Sequence, residues 1–276
     1  MSPVRRGKIR LANLTPLATG GMGELRKGVQ PDGTPLVLRE LHTRHVFKPR
    51  VHLCFVRGTK IREMLSPHPN LIFSVDRGHQ GLRPYEVIEY VDGANLRQLL
   101  DRKKEFVSRH LHAILVQSAR ALAHMHQNRI LHLDVKAENF MVVAEGDTVR
   151  VKLTDFDLAR DCESACNRHR AGTPKYMAPE ELRHGTVDIG TDIFAFGVFA
   201  YYLVTGHMPF EGNTVAESRR NQLSDKYRVI RPSEWVKDLT PKLEQTIMQC
   251  IEKKSQKRLP SMAYISQMLE DLKTHE

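Results

Sequence analysis

The stretch His132-Leu133-Asp134-Val135-Lys136-Ala137-Glu138-Asn139 sets a carboxylate, an ammonium and a carboxamide within six residues of one another. It follows a segment, His110–Gln127, with apolar residues at Leu111, Ile114, Leu115, Leu122 and Met125. That period, near 3.6, predicts a helix leading into a polar loop. Downstream come the triplet Asp155-Phe156-Asp157 and then Gly172-Thr173-Pro174-Lys175-Tyr176-Met177-Ala178-Pro179-Glu180. A polar loop without chemistry would have to place Asp134, Lys136, Asn139 and Asp155 at these spacings by accident.

Upstream the character is different. Ile9–Leu17 and Leu25–Gln30 are short strand-like runs separated by the glycine-rich Thr19–Gly23, and Pro31-Asp32-Gly33 is a turn signal before Leu36–Leu41. These predict an antiparallel meander. Val51–Leu65 reads as a helix, and Leu71–Asp76 and Arg83–Tyr90 read as two further strands. After Val91-Asp92-Gly93 the segments become longer and amphipathic: Ile193–Val204, Leu243–Glu252 and Met262–Leu272 are predicted helices. The expected architecture is α+β, a small antiparallel β lobe with one helix followed by a larger helical lobe, with a cleft between them.

Composition narrows the class. The chain has 276 residues, 41% hydrophobic and 27% charged, which excludes disordered, collagen-like and coiled-coil classes. Forty-two Lys and Arg against 32 Asp and Glu give a net charge of +10. A basic excess permits anionic partners without choosing among them. Four cysteines do not form a disulfide framework, so a reducing compartment, the cytoplasm, is expected. Met1–Arg10 carries four basic residues and no apolar core, so no secretory leader is expected. The longest apolar run, Ile193–Val204, is too short to cross a bilayer as a helix.

The glycine loop Gly20-Gly21-Met22-Gly23, the His132–Asn139 stretch, the Asp155 triplet and the Gly172–Glu180 segment, in this order, resemble the eukaryotic-type protein kinases over roughly residues 11 to 272. The wording GGMGEL and IEYVDGANL is most similar to bacterial members. The resemblance implies a single bilobal kinase-like domain spanning 1–276, with an N-lobe of about 9–90, a hinge at 89–92 and a C-lobe of about 93–272. It leaves no space for a separate regulatory domain within these residues.

The same resemblance implies site residues. Asp134 matches the catalytic carboxylate, Lys136 the cation that neutralises the moving phosphoryl group, and Thr173 the hydroxyl tying the substrate-binding loop to both. Asn139 and Asp155 match the ligands of Mg²⁺, with Mn²⁺ as an alternative metal. ATP would sit on Gly20, Gly21 and Gly23, with Leu25, Val37 and Met141 about the ring. Glu89 and Val91 would offer the hinge backbone, Ile88 matches the gatekeeper, and Asp92 or Asn95 would meet the ribose. Asp-x-Lys-x-x-Asn followed by Gly-Thr-x-x-Tyr looks like serine/threonine kinases. Glu180 and Arg258 resemble a buried anchoring ion pair.

Departures from the family pattern concentrate at the phosphate site. The third strand ends in Leu36-Val37-Leu38-Arg39, so arginine replaces the phosphate-gripping lysine, a swap that is not conservative at a snug site. The helix carries Gly58, or Thr59 in a shifted register, where the pairing glutamate belongs. Glu63 on the same face would reach Arg39 only if the helix were displaced by a turn; a solvated glutamate is the plain alternative. Lys27 is a candidate stand-in for the lysine, against an exposed strand residue. The first loop glycine is Ala18, the residue before Asp134 is Leu133 rather than arginine, and the triplet ends in Asp157 rather than glycine.

Ser164 is a regulatory candidate. Cys162, Cys166 and His169 have metal-like spacing but are only three ligands, so zinc is not expected. The basic arm Arg5-Arg6, Lys8 and Arg10 lacks interleaved aromatics, and nucleic acid is not an expected partner. Two functions follow: a protein serine/threonine kinase using Mg·ATP, weakened or unconventional at Arg39, or an inactive pseudokinase acting as a nucleotide-binding or scaffold module. The protein substrate is not legible.

Overall fold

A computed structural model describes residues 4–6, 9–163 and 172–272. Ser164, Cys166, His169 and Lys8 lie outside the described residues. The strands are β1 (Val4–Arg6), β2 (Ile9–Thr19), β3 (Gly23–Val29), β4 (Pro35–Leu41), β5 (Ser74–Gln80), β6 (Arg83–Glu89), β7 (Ala94–Asn95), β8 (Ile130–Leu131), β9 (Phe140–Glu145), β10 (Thr148–Leu153) and β11 (Arg160–Asp161). The helices are α1 (Pro49–Leu65), α2 (Leu96–Arg102), α3 (Lys104–Arg109), α4 (Leu111–Gln127), α5 (Pro179–Leu182), α6 (Ile189–Thr205), α7 (Val215–Leu223), α8 (Pro232–Trp235), α9 (Pro241–Cys250) and α10 (Met262–Glu270).

The chain separates into two compact units. Residues up to Asp92, joined by Asp155–Asp157, make the first; Gly93–Thr154 and the chain from Leu158 onward make the second.

The first unit is a six-stranded antiparallel sheet in the order β1-β2-β3-β4-β6-β5, with α1 packed on β5 and β6. Side chains alternate across a strand, so the register of β4 sorts its residues into two faces. Leu36 and Leu38 join Leu11, Tyr85 and Val87 in one apolar cluster. Val37 and Arg39 point to the opposite face, across from Lys27 and Leu25 on β3 and from Ile88 and Glu86 on β6. The same alternation that buries the leucines therefore gathers two basic residues and a glutamate on the other side of the sheet.

Two elements depart from the sequence expectation by three residues or more, the rest by one or two. β5 begins at Ser74, because Leu71 and Ile72 are buried as loop residues. α6 begins at Ile189 rather than Ile193: its first turn is polar and so invisible to an apolar-run reading, but Asp188 caps it by accepting from the Gly190 amide at 2.8 Å.

The second unit is mainly helical. α4 keeps Ile114, Leu115, Ala119, Leu122 and Met125 buried and packs on α10 and β10. α6 is apolar all round and buried along nearly its whole length, the sign of a central core helix. Its Phe199 stacks on Phe140 with ring centroids 4.7 Å apart. Gly197 lies where a Cβ would come within 2.5 Å of the Cys250 side chain, so glycine lets α9 approach α6 closely. Among the described residues, no helix is long and apolar enough to cross a membrane.

Candidate active site

In the second unit, β8 delivers the chain into a loop whose backbone is bent by Leu133 at φ +60°. That left-handed conformation is uncommon for a residue with a large side chain and needs outside support. Asp192 supplies it from α6: Oδ1 accepts from the Leu133 amide and Oδ2 from the His132 amide, both at 2.8 Å. His126 Nε2 lies 2.9 Å from Oδ2. Burial works against ionisation of Asp192, but the hydrogen bond and charge of His126 and the contacts of His132 outweigh it, and its pKa is lowered.

The supported loop brings the predicted groups together. Lys136 Nζ donates to Asp134 Oδ2 at 2.6 Å and to Thr173 Oγ1 at 3.2 Å, and Thr173 Oγ1 lies 3.4 Å from Asp134 Oδ1. Asn139 Nδ2 donates to the Asp134 carbonyl at 2.8 Å and to its carboxylate at 3.1 Å. With its amide nitrogen committed to Asp134, Asn139 turns its other face, the Oδ1 oxygen, into the available donor for a cation. Farther along, Arg258 forks onto Glu180, Nη1 to Oε1 at 2.6 Å and Nη2 to Oε2 at 2.8 Å, so the anchoring pair is present. Asn95 caps α2 by accepting from the Gln98 amide at 2.9 Å, so its side-chain carbonyl oxygen has a structural task. Met141 is half-buried on β9, paired with Asn95.

In the first unit, Gly20 and Gly21 are exposed at the β2–β3 turn, closed by the Gly20 amide on the Gly23 carbonyl at 2.8 Å. Gly23 is buried, and a Cβ there would fall 2.5 Å from the Glu40 carbonyl oxygen. Two imidazoles hold the turn from the other side: His42 Nε2 meets the Gly20 carbonyl at 3.0 Å and His45 Nε2 the Gly21 carbonyl at 3.1 Å. The sequence reading missed both histidines, since they follow β4 with no local pattern to connect them to the loop.

Val37 and Ile88 are buried, while Leu25, Glu89 and Val91 are half-buried. Glu89 accepts from the Phe73 amide through its side chain at 2.9 Å. Lys27 lies with its ammonium 3.7 Å from the centre of the Tyr90 ring, a cation–π contact.

Arg39 has two carboxylate partners. Nη1 donates to Glu86 Oε1 at 2.8 Å and Nη2 to Asp157 Oδ2 at 2.5 Å. Arg62 of α1 donates to the other oxygen of Glu86. All four side chains are buried, and two positive charges face two negative ones. Burial opposes the charge on Arg39, but Asp157, Glu86 and Asp155 outweigh it and raise its pKa. For Glu86, burial is overcome by Arg62 and Arg39, and the carboxyl is held low. Burial pushes the Asp157 carboxyl up, Asp155 adding to it, against the pull of Arg39; Glu86 is the firmer of the two anions.

The helix explains the missing glutamate. A Cβ on Gly58 would fall 2.8 Å from the Phe156 carbonyl oxygen, so no side chain fits at this point. Glu63 does not reach Arg39: it pairs with Arg77 on the surface at 2.6 Å, because α1 is not displaced by a turn. Glu86 and Arg62 escaped the sequence reading. The available signal was a charge inside the otherwise buried segment Pro84-Tyr85-Glu86-Val87-Ile88 and, for Arg62, its place beside the buried Ile61 on α1.

Among the described residues, no group of three or more His, Cys, Asp or Glu forms a protein-only metal site. Asn139 and Asp155 each carry a hard oxygen donor, the ligand type that suits Mg²⁺, which usually keeps waters and takes substrate phosphates as ligands.

The protein kinase domain family matches residues 12–271. The chain is 31% identical over 261 residues to the serine/threonine-protein kinase PknB of Mycolicibacterium smegmatis, covering 90% of this chain and 40% of that protein. It is 32% identical over 218 residues to serine/threonine-protein kinase pkn2 of Myxococcus xanthus, covering 76% and 26%. It is 30% identical over 202 residues to serine/threonine-protein kinase PknL of Mycobacterium tuberculosis, covering 72% and 50%. The chain thus spans half or less of the length of these relatives.

Proposed function

Because this chain belongs to the protein kinase family, we propose that it transfers the γ-phosphoryl group of Mg·ATP to serine or threonine hydroxyls of a protein. The observation that carries this reading is the single hydrogen-bonded cluster of Asp134, Lys136, Thr173 and Asn139. Phosphoryl transfer asks a protein for positioning and charge neutralisation more than for covalent chemistry.

In this reading Asp134 orients the attacking hydroxyl and accepts its proton. Thr173, within reach of both Asp134 and Lys136, keeps the carboxylate and the ammonium in fixed relation. Lys136 offsets the negative charge of the moving phosphoryl group. Asn139 and Asp155 would hold Mg²⁺, which, when bound, draws charge off the phosphates. Gly20, Gly21 and Gly23 would admit the phosphates to backbone amides, with Arg39 as the basic contact and Leu25, Val37 and Met141 about the base. The cytoplasm is the proposed compartment on the cysteine usage, and a protein substrate the proposed partner.

The purified chain with Mg²⁺ or Mn²⁺ is expected to phosphorylate itself or a basic protein, and Asp134→Asn is expected to reduce the rate by about 10²–10⁴-fold. Wild-type transfer no greater than that of Asp134→Asn overturns the enzyme reading. One observation favours the second reading, a nucleotide-binding or scaffold module: both terminal nitrogens of Arg39 already face buried carboxylates.

A further inference from the structure

We propose that Asp157 is the positioning residue for Arg39, supplying from the Asp155–Asp157 triplet the carboxylate that α1 has no space to carry. The inference rests on the kinase reading above and concerns how Arg39, the proposed phosphate contact, is held.

A buried guanidinium takes its orientation from the anions that accept its hydrogens. Arg39 has two. Glu86 lies directly across the sheet, so strand register alone fixes that contact, and its second oxygen is shared with Arg62. Asp157 lies 118 residues away in sequence and takes the other terminal nitrogen. It is therefore the contact that sets how the guanidinium turns about its sheet-fixed end.

Asp157 is itself held at three points. Its carboxylate meets Arg39 at 2.5 Å, its carbonyl accepts from Arg57 Nη2 at 3.2 Å, and its amide lies 3.3 Å from Asp155 Oδ1. The residue thus links the proposed phosphate contact to the proposed metal ligand, whose own backbone is strained at φ +60°. Gly58 completes the exchange. The triplet backbone occupies the volume a side chain at position 58 would need, with the Phe156 carbonyl oxygen 2.8 Å from a Cβ there. Phe156 is fully buried and lies under the Arg62 guanidinium at 4.8 Å, so the triplet cannot simply move aside. Glycine at 58 and aspartate at 157 are two halves of one substitution: the helix gives up a side chain, and the segment filling that space brings the charge.

The test measures binding of Mg·ATP and of adenosine to the full chain, by calorimetry, in wild type, Asp157→Asn and the surface control Glu63→Gln, with thermal unfolding to establish that each is folded. Adenosine has no phosphates, so it reports the base and ribose contacts without those to phosphate and metal. Asp157→Asn is expected to weaken ATP about tenfold or more, the scale of a lost charged hydrogen bond, and to leave adenosine within about twofold. Glu63→Gln should change neither. Parallel weakening of both ligands would reduce Asp157 to a structural role. Unchanged or tighter ATP binding, or a wild type that binds ATP no better than adenosine, also overturns the proposal. Should Asp157→Asn not fold, Asp157→Glu keeps the charge and displaces the carboxylate by a methylene; the same loss confined to ATP is expected, and equal ATP affinity refutes it. Absence of phosphoryl transfer in the wild type would defeat the kinase reading while leaving this comparison intact.

Discussion

Replacing Arg258 by methionine isolates the contribution of one buried ion pair. The Arg258 side chain is fully buried, and besides its fork onto Glu180 it donates to the Gly190 carbonyl and, through Nε, to the Glu252 carbonyl, each at 2.8 Å. The guanidinium also lies 4.9 Å from the centre of the Phe194 ring. Methionine preserves most of the apolar stem and deletes the charge. Leaving one member of a buried pair alone costs about 3–5 kcal/mol. Glu180 keeps the Thr191 hydroxyl at 3.0 Å and some solvent, which places its share at the lower end. Each carbonyl that loses its donor adds about 1 kcal/mol.

A total of about 5 kcal/mol corresponds to a fall in Tm of roughly 10–20 °C for a unit of this size. Urea and thermal unfolding measure it, with Arg120→Met as the comparison: Arg120 and Glu270 form an ion pair of similar length, 3.0 Å, at the surface, where the loss should stay below about 1 kcal/mol. Arg258→Lys should rescue little, because an ammonium cannot match the two-pronged carboxylate. If Arg258→Met costs no more than Arg120→Met, the argument from burial is wrong.

Other consequences are equally open to measurement. Burial, with Asp192 and Glu180 adding to it, pushes the Glu181 carboxyl up to about 8. A carboxyl raised above its unfolded value contributes stability fully present below pH of about 4.5 and lost as pH rises through about 8. Glu181→Gln should flatten that decline and be more stable than wild type at pH 9, by up to a few kcal/mol; identical pH profiles would refute the assignment. Gly58→Ala would gain about 1 kcal/mol in an open helix, but here its Cβ meets the Phe156 carbonyl, and a net loss of about 1–2 kcal/mol is expected in denaturant titrations. Asp192→Asn turns an acceptor into a donor facing the His132 and Leu133 amides; a loss of about 1–3 kcal/mol should accompany slower phosphoryl transfer. Removing both His42 and His45 should raise the KM for ATP with little change in Tm, since their imidazoles hold carbonyls of the exposed residues Gly20 and Gly21.

The sequence by itself determined the two-part architecture, because period-2 strands and 3.6-period helices are local properties that survive without a partner. It also determined the contents of the loop from His132 to Asn139. Asp134, Lys136 and Asn139 lie so close in the chain that their meeting required only a loop of ordinary length, and Thr173 came with its own motif. Tertiary structure decided everything whose partners are distant. Arg39 and Gly58 read as two separate losses, a wrong cation and an absent anion. Only the packing of the Asp155–Asp157 triplet against α1 makes them one arrangement, in which Asp157 carries the carboxylate and Glu86 and Arg62 complete the charge balance. Glu63, well placed on a helical wheel, was lost to Arg77, because a wheel gives the face of a residue but not the rotation of the helix against its sheet. Periodicity encodes which residues share a face; which charge finally neutralises which is set by distances across the chain, and burial makes that choice expensive to change.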